Sequence, residues 1–426
     1  MRDPFGASVA TAHRGAPVAR AARIAVTGVG LVTPLGRSLA DFDDALFAGR
    51  SAVGPYTLTI GTLEPMTMAI AACDFDDGER SSSRLPLDRG TAMALAAARD
   101  AVAQAGLADA ALDGDRVGVY WGSGMAGSAS FDATARALYA DSRRVRPTTV
   151  LTTMPNAAAA ELGLLFGARG AALSFACACA SSAVAIGEAM RAIRGGWIDV
   201  AIVGGHEAML TAGTLASWHA MRVMAPPPSD APSTACRPFS ADRAGFALGE
   251  GAGALVIESE AHARTRGAAA ACMLSGYATN CDSVHMTHPD ASGQVRAMRA
   301  ALKDAGLRPE DIGYVNAHGT ATGAGDAAEA ASVFEVFGNR VPVSSTKAIH
   351  GHLLGGGGAV ELIASMRALA HESLPPTANL HTPDPAFALD LVRGAARAAP
   401  GIRHVLSNSF AFGGTNAVLI ASKAAA

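Results

Sequence analysis

Aromatic side chains are scarce, 5% of 426 residues, whereas glycine occurs 47 times and alanine-rich stretches recur throughout. With so few rings, a core has to close by backbones approaching one another, which points to helices packed tightly against sheets. A strong charge of either sign is also missing. The formal net charge of −3 creates no field that would draw in nucleic acid or an anionic membrane. Six cysteines in a chain of this length do not form the dense framework of a secreted disulfide protein, so a reducing cytoplasm is expected. Residues 1–22 contain arginines but no apolar h-region; they read as a disordered tail and not as a secretory signal. The one long uncharged stretch, Gly170 to Gly187, is mostly alanine and carries Ser174, Ser181 and Ser182. That argues against membrane insertion and for a buried strand running into a buried helix.

What the chain does have is alternation. Short apolar runs, Ile24 to Val29, Val117 to Trp121, Val200 to Val203 and Ala254 to Ile257, read as strands buried on both faces, separated by alanine-rich helical stretches. The fold class is α/β, in layers. The chain also echoes itself: Ala98 to Leu107 precedes one strand and the similar Met298 to Leu307 precedes another. Likewise, a Glu188-Ala-Met-Arg-Ala-Ile193 helix follows a cysteine-bearing turn, and Ala364-Ser-Met-Arg-Ala-Leu369 follows a turn bearing lysine and histidine. Two similar halves are therefore expected, residues 23–265 and 266–426, each lending loops to one site. Pro226 to Pro232 is a surface loop inside the first half.

Cys179 falls where a strand-like run meets a helix ending at Gly195-Gly196. Free N–H groups and the positive end of the helix dipole favour an anion there, so its thiol is expected to ionise more readily than a free one. Buried free cysteines are as often inert. Cys177, two residues earlier, reads as inert core. His318 follows a strand in Val315-Asn-Ala-His-Gly-Thr-Ala-Thr322, and Lys347 and His352 sit in Ser344-Ser-Thr-Lys-Ala-Ile-His-Gly-His352 before four consecutive glycines. Those glycines suit close approach of an acyl or pantetheine arm, a tight helix crossing, or both at once. Phe410-Ala-Phe-Gly-Gly-Thr-Asn416 offers a flexible turn between two rings.

Together these motifs, with Arg237-Pro-Phe and Gly245-Phe-Ala-Leu-Gly-Glu-Gly-Ala-Gly253, make the chain resemble the elongating β-ketoacyl-acyl carrier protein synthases from about Arg23 to Leu419. The resemblance implies a thiolase-like fold, a duplicated layered arrangement with two five-stranded mixed sheets, and a homodimer without metal or other cofactor. It implies that Cys179 takes an acyl chain from an acyl carrier protein, with the N–H groups of Cys179 and Phe412 as oxyanion hole. His318 and His352 would then hold the malonyl thioester during decarboxylation, with Lys347 and Glu361 as a supporting ion pair. Phe412 matches the gating phenylalanine; Thr320, Thr322, Phe410, Gly413 and Gly414 match the substrate-binding wall, and Arg143, Arg144 and Arg222 match carrier-protein docking cations.

Three positions depart from the pattern: Gly323 for a proline, Ala244 for an aspartate and His350 for a threonine. The motifs fit fatty acid elongation, and equally a ketosynthase of a type II polyketide or aryl polyene pathway. A non-catalytic, chain-length-setting partner subunit would lack the nucleophile that Cys179 provides.

Overall fold

The computed structural model describes residues 22–76, 78, 79, 81, 85–107 and 114–424; the tail expected over 1–22 lies outside them except for Ala22. Ten strands form the framework. They are β1 (Ile24–Val32), β2 (Val117–Gly122), β3 (Ala172–Phe175), β4 (Val200–Glu207), β5 (Gly251–Ser259), β6 (Cys272–Cys281), β7 (Tyr314–Asn316), β8 (Pro342–Ser344), β9 (His404–Phe410) and β10 (Thr415–Ser422). The helices that matter for the site are α1 (Arg89–Gln104), α2 (Ser181–Arg194), α3 (Ala212–Ala220), α4 (Ala291–Ala305), α5 (Gly323–Phe337) and α6 (Leu354–His371).

The strand order explains the internal echo. In the first half it runs β3-β2-β4-β5-β1, and in the second β8-β7-β9-β10-β6. Each set is the same permutation of its own chain order. Each also has the same directions: the third, second, fourth and first strands run one way and the fifth, which stands between the fourth and the first, runs against them. The helices carrying the echoes, α1 and α4, follow the first strand of each set, and α2 and α6 follow the third. The chain thus has the layered thiolase-like fold, with one addition to the expectation. β1 and β6 pair through Ile24–Leu274, Ala25–Met273 and Val26–Cys272, which joins the two five-stranded sets edge to edge, and Asp390–Leu391 extends the far edge.

Helices α2 and α6 are buried together in one hydrophobic core with residues of both halves, from Ile24 and Val203 to Leu362 and Leu419. The glycine run is what lets them meet. A Cβ on Gly358 would lie 2.9 Å from the Ala183 Cβ, and one on Gly355 only 2.3 Å from the Gly124 nitrogen, separations no side chain tolerates. The glycines serve tight packing here, and none of the four lines the cavity described below.

One expectation fails at β3. Ala172, Leu173 and Ser174 are exposed, because β3 is the outermost strand of its set; the run reads as buried only because it lacks charge.

Candidate active site

The cysteine-bearing turn is tighter than a strand-to-helix junction requires. Between β3 and α2 lies a short 3-10 turn, Ala178–Ala180, and Ala178 takes φ +47°, a left-handed conformation that costs an alanine energy. The Ser181 hydroxyl braces it, accepting from the Cys177 N–H at 2.9 Å and donating to the Ala178 carbonyl at 2.7 Å. Cys179 is thereby pushed into an apolar cluster with Met209, Phe246 and Leu354, while Cys177 packs against the main core.

The second half supplies the imidazoles. His352 Nε2 lies 3.1 Å from Cys179 Sγ, and the rings of His318 and His352 meet edge to face with centroids 5.3 Å apart. One donor atom from each of the three residues falls within 4.8 Å of the others. Behind them Lys347 Nζ and Glu361 Oε1 form an ion pair of 2.5 Å with side chains 1% exposed. The Phe412 N–H is directed at Cys179.

Burial pushes the Cys179 thiol up to about 12, against the Lys347 charge and the Phe412 N–H that favour the thiolate. Burial likewise holds His318 and His352 well below the usual histidine range, reinforced by Lys347. Burial thus opposes the ionisation that the helix terminus favours. It favours a neutral thiol beside neutral imidazoles, and the group in contact with Sγ is His352 Nε2, which can accept its proton in the tautomer that carries hydrogen on Nδ1. Cys, His and His are also ligands a soft divalent ion accepts, but the adjacent Lys347 charge opposes a second cation.

A cavity of about 280 Å³ opens over this cluster, and Thr320, Thr322, Phe410, Phe412 and Gly414 are in its wall. Gly413 is not; its N–H donates to the Met286 carbonyl at 2.8 Å, and with Gly414 it provides φ values of +84° and +80° for the turn. His350 faces inward, its Nδ1 2.7 Å from the Gly351 carbonyl and its Nε2 2.9 Å from the Thr346 hydroxyl, so it adds nothing to the cavity. Arg143, Arg144 and Arg222 are exposed.

Three acids that the motifs do not single out hold the loops. Glu329 on α5 accepts the N–H groups of His318 at 2.8 Å and Gly319 at 2.6 Å, and Asp326 accepts those of Ala321 at 3.0 Å and Phe239 at 2.7 Å. Glu207, at the end of β4, accepts from Gly124, Met125 and Gly355, tying the start of α6 to the loop after β2. Burial raises all three carboxyls, Asp326 and Glu207 to about 7. Their signal in the sequence is an isolated acid against an apolar face, as with Asp326 and Glu329 ahead of Val333 and Phe337.

Comparison with known proteins now decides the family. Residues 21–263 match the N-terminal domain of β-ketoacyl synthases and residues 271–381 the C-terminal domain. This chain is a β-ketoacyl synthase. As such it is an acyltransferase of the condensing type, with the thiolase-like fold of its family. It is 37% identical to 3-oxoacyl-acyl-carrier-protein synthase 2 of Synechocystis sp., over 94% of this chain and 98% of that one. To Nodulation protein E of Rhizobium sp. (strain N33) it is 38% identical, over 93% and 98%. The crystal structure of a β-ketoacyl synthase from Burkholderia phymatum superposes with a TM-score of 0.86 at 35% identity, covering 95% of this chain and all of that one.

Proposed function

We propose that this synthase joins an acyl unit held on Cys179 to malonyl-acyl carrier protein, by decarboxylative condensation, in fatty acid elongation. The observation that carries this reading is the contact of His352 Nε2 with Cys179 Sγ at 3.1 Å beside His318, all in one cavity wall. In the first half-reaction Sγ attacks the acyl thioester of the carrier protein while His352 Nε2 takes the Sγ proton and passes it to the departing pantetheine thiolate. The acyl oxygen is held by the N–H groups of Cys179 and Phe412. In the second, malonyl thioester binds with its carbonyl oxygen toward the two imidazoles. Carbon dioxide leaves and the electron pair stays as an enolate stabilised by hydrogen bonds from the imidazoles, His352 donating in the tautomer that carries hydrogen on Nε2; the enolate carbon attacks the acyl-Cys179 carbonyl and expels Sγ as thiolate, which takes up a proton from solvent to restore the thiol. The buried Lys347–Glu361 pair orients the histidine loop, and Thr320 and Thr322 border the malonyl group.

The same proposal includes a second copy of the chain. β3 offers an uncharged, exposed edge, with Leu173 45% exposed, of the kind proteins leave uncovered only at a risk of aggregation. It also includes carrier-protein docking at Arg143, Arg144 and Arg222, halves divided near residue 265, and a cytoplasmic setting in keeping with six free cysteines. Among the described residues no helix is long and apolar enough to cross a membrane.

A specialised acyl-assembly pathway, polyketide or aryl polyene, is the second reading, supported by superposition on a type II PKS ketosynthase bound to a hexaketide, with a TM-score of 0.87 at 28% identity over 95% of this chain. The test is reconstitution with acyl- and malonyl-carrier protein, followed for carbon dioxide and 3-oxoacyl product. Fatty acyl primers giving product supports elongation, and product from polyketide or polyene primers alone supports the specialised pathway. No product from any primer overturns both.

A further inference from the structure

We propose that His285 and His288 form a binding site for one divalent transition-metal ion of the kind that takes imidazole ligands, and that an ion held there obstructs the cavity over Cys179. The obstruction rests on the reading of Cys179 as acyl acceptor; the binding does not.

Both histidines lie in the loop of residues 282–290, between β6 and α4. This loop is fastened at its ends and in its middle. Asp282 Oδ2 accepts the Asp290 N–H at 3.0 Å, and Asp282 Oδ1 accepts from Asn416 Nδ2 at 2.6 Å. The Met286 carbonyl accepts the Gly413 N–H at 2.8 Å. A braced backbone therefore presents the two imidazoles together, Nδ1 to Nδ1 at 3.0 Å, with ring centroids 4.5 Å apart and planes at 77°.

One hydrogen serves both Nδ1 atoms. The Thr287 N–H donates to His285 Nδ1 at 3.1 Å, so that nitrogen offers its lone pair and the hydrogen between the rings belongs to His288. A metal ion takes the place of that hydrogen, which moves to His288 Nε2 in the other tautomer, with no net loss of a proton. The Thr287 N–H, on an exposed residue, passes to water. Metal–nitrogen bonds of about 2.0–2.1 Å set two ligand nitrogens about 2.8–3.0 Å apart at a right angle and about 3.3–3.4 Å apart at the tetrahedral angle. The separation already present suits an octahedral or tetragonal ion such as Ni²⁺ or Cu²⁺, and Zn²⁺ after a small opening of the pair. Both histidines are exposed, so water completes the coordination.

Charge favours this pair over the cluster of Cys179, His318 and His352, all three of which feel the Lys347 ammonium. The cavity wall that includes His285 and His288 carries the carboxyls of Asp282 and Glu329 and, among the described residues, no lysine or arginine. Being both exposed and part of that wall, the pair stands where the cavity meets solvent. A hydrated ion there narrows the passage by which an acyl-pantetheine arm reaches Sγ.

The test is calorimetric titration of the untagged full chain with NiCl₂, beside single-turnover acyl loading with and without the metal, each variant being compared with itself. MgCl₂, whose ion prefers oxygen ligands, is the control. One Ni²⁺ per chain is expected, retained in Cys179→Ala and weakened at least about tenfold in His285→Ala and in His288→Ala, since losing a ligand costs no less than losing its outer partner. At ten times the half-saturating Ni²⁺ concentration, loading of wild type falls roughly tenfold, and the fall disappears in both histidine variants. His285→Phe and His288→Phe, which keep a ring without its nitrogens, decide if an alanine variant unfolds. Binding that survives both substitutions, or that is lost in Cys179→Ala, overturns the site. Undiminished loading of wild type at saturating Ni²⁺ overturns the obstruction. Failure of wild type to load without metal overturns instead the function on which the obstruction rests, and the titration alone then judges the site.

Discussion

The two histidines are not equivalent in this site, and separating their half-reactions shows it. His352 touches Sγ at 3.1 Å; His318 reaches the sulfur only through the shared cavity, its ring 5.3 Å from that of His352. With the thiol pushed up to about 12 by burial, acylation needs a proton acceptor in contact. Losing a general base typically costs roughly 100- to 10,000-fold, and losing one oxyanion donor roughly 100- to 1,000-fold. His352→Ala should therefore slow both acyl loading and decarboxylation by at least about a hundredfold. His318→Ala should slow decarboxylation and condensation by a similar factor yet load acyl groups within about tenfold of wild type. Single-turnover loading followed by mass spectrometry, beside carbon dioxide release from malonyl-carrier protein, separates the two. Equal loss of loading in both variants would refute the assignment of His352 as the acceptor of the Sγ proton.

Cys179→Gln should lose acyl loading while keeping or gaining malonyl decarboxylation, because enolate formation needs the imidazoles and not the sulfur; carbon dioxide release measures it. Lys347→Met strands the Glu361 carboxyl in the core and should cost roughly 3–5 kcal/mol, with most of it returned by adding Glu361→Leu, as seen in denaturant unfolding. Both imidazoles are held well below 6.5 by burial and by Lys347, so condensation should not fall as pH drops to that value. Removing the Lys347 charge favours the imidazolium and should move the acidic limb of the rate profile to higher pH. Gly323→Pro should stabilise by about 0.4–1 kcal/mol. Position 323 opens α5, a Cβ there meets nothing within 4 Å, and Thr322 is already extended at φ −85° and ψ 147°, as a residue before proline must be.

Much of the architecture could be read from local pattern. Apolar runs marked the long strands, and repeated helix sequences marked the duplication that the identical strand orders display. Cys179 and His318 were legible because each follows a strand-like run beside glycine or hydroxyl residues, and His352 because it closes a motif of hydroxyl residues, lysine and glycine. The glycine run was legible as close approach, but not what it approaches, since the Ala183 and Gly124 backbones are distant in sequence. Glu329, Asp326 and Glu207 escaped notice because their partners are backbone N–H groups, which carry no residue signature. For a related reason only one side of the thiol's environment shows in the sequence: a helix terminus is visible there, whereas the desolvation that opposes it comes from Phe246, Leu354 and others assembled only in the fold. β3 reads as buried because it lacks charge, and nothing local in its sequence shows that it stands at the outer edge of its set.

The account stands on Cys179 as the atom that receives the acyl group. Incubating the full chain with acyl-carrier protein and mapping the adduct by peptide mass spectrometry tests this most directly. One acyl group per chain, on Cys179 and on none of the other five cysteines, is the expected result. An adduct elsewhere, or none with a carrier protein that supports condensation, would contradict it.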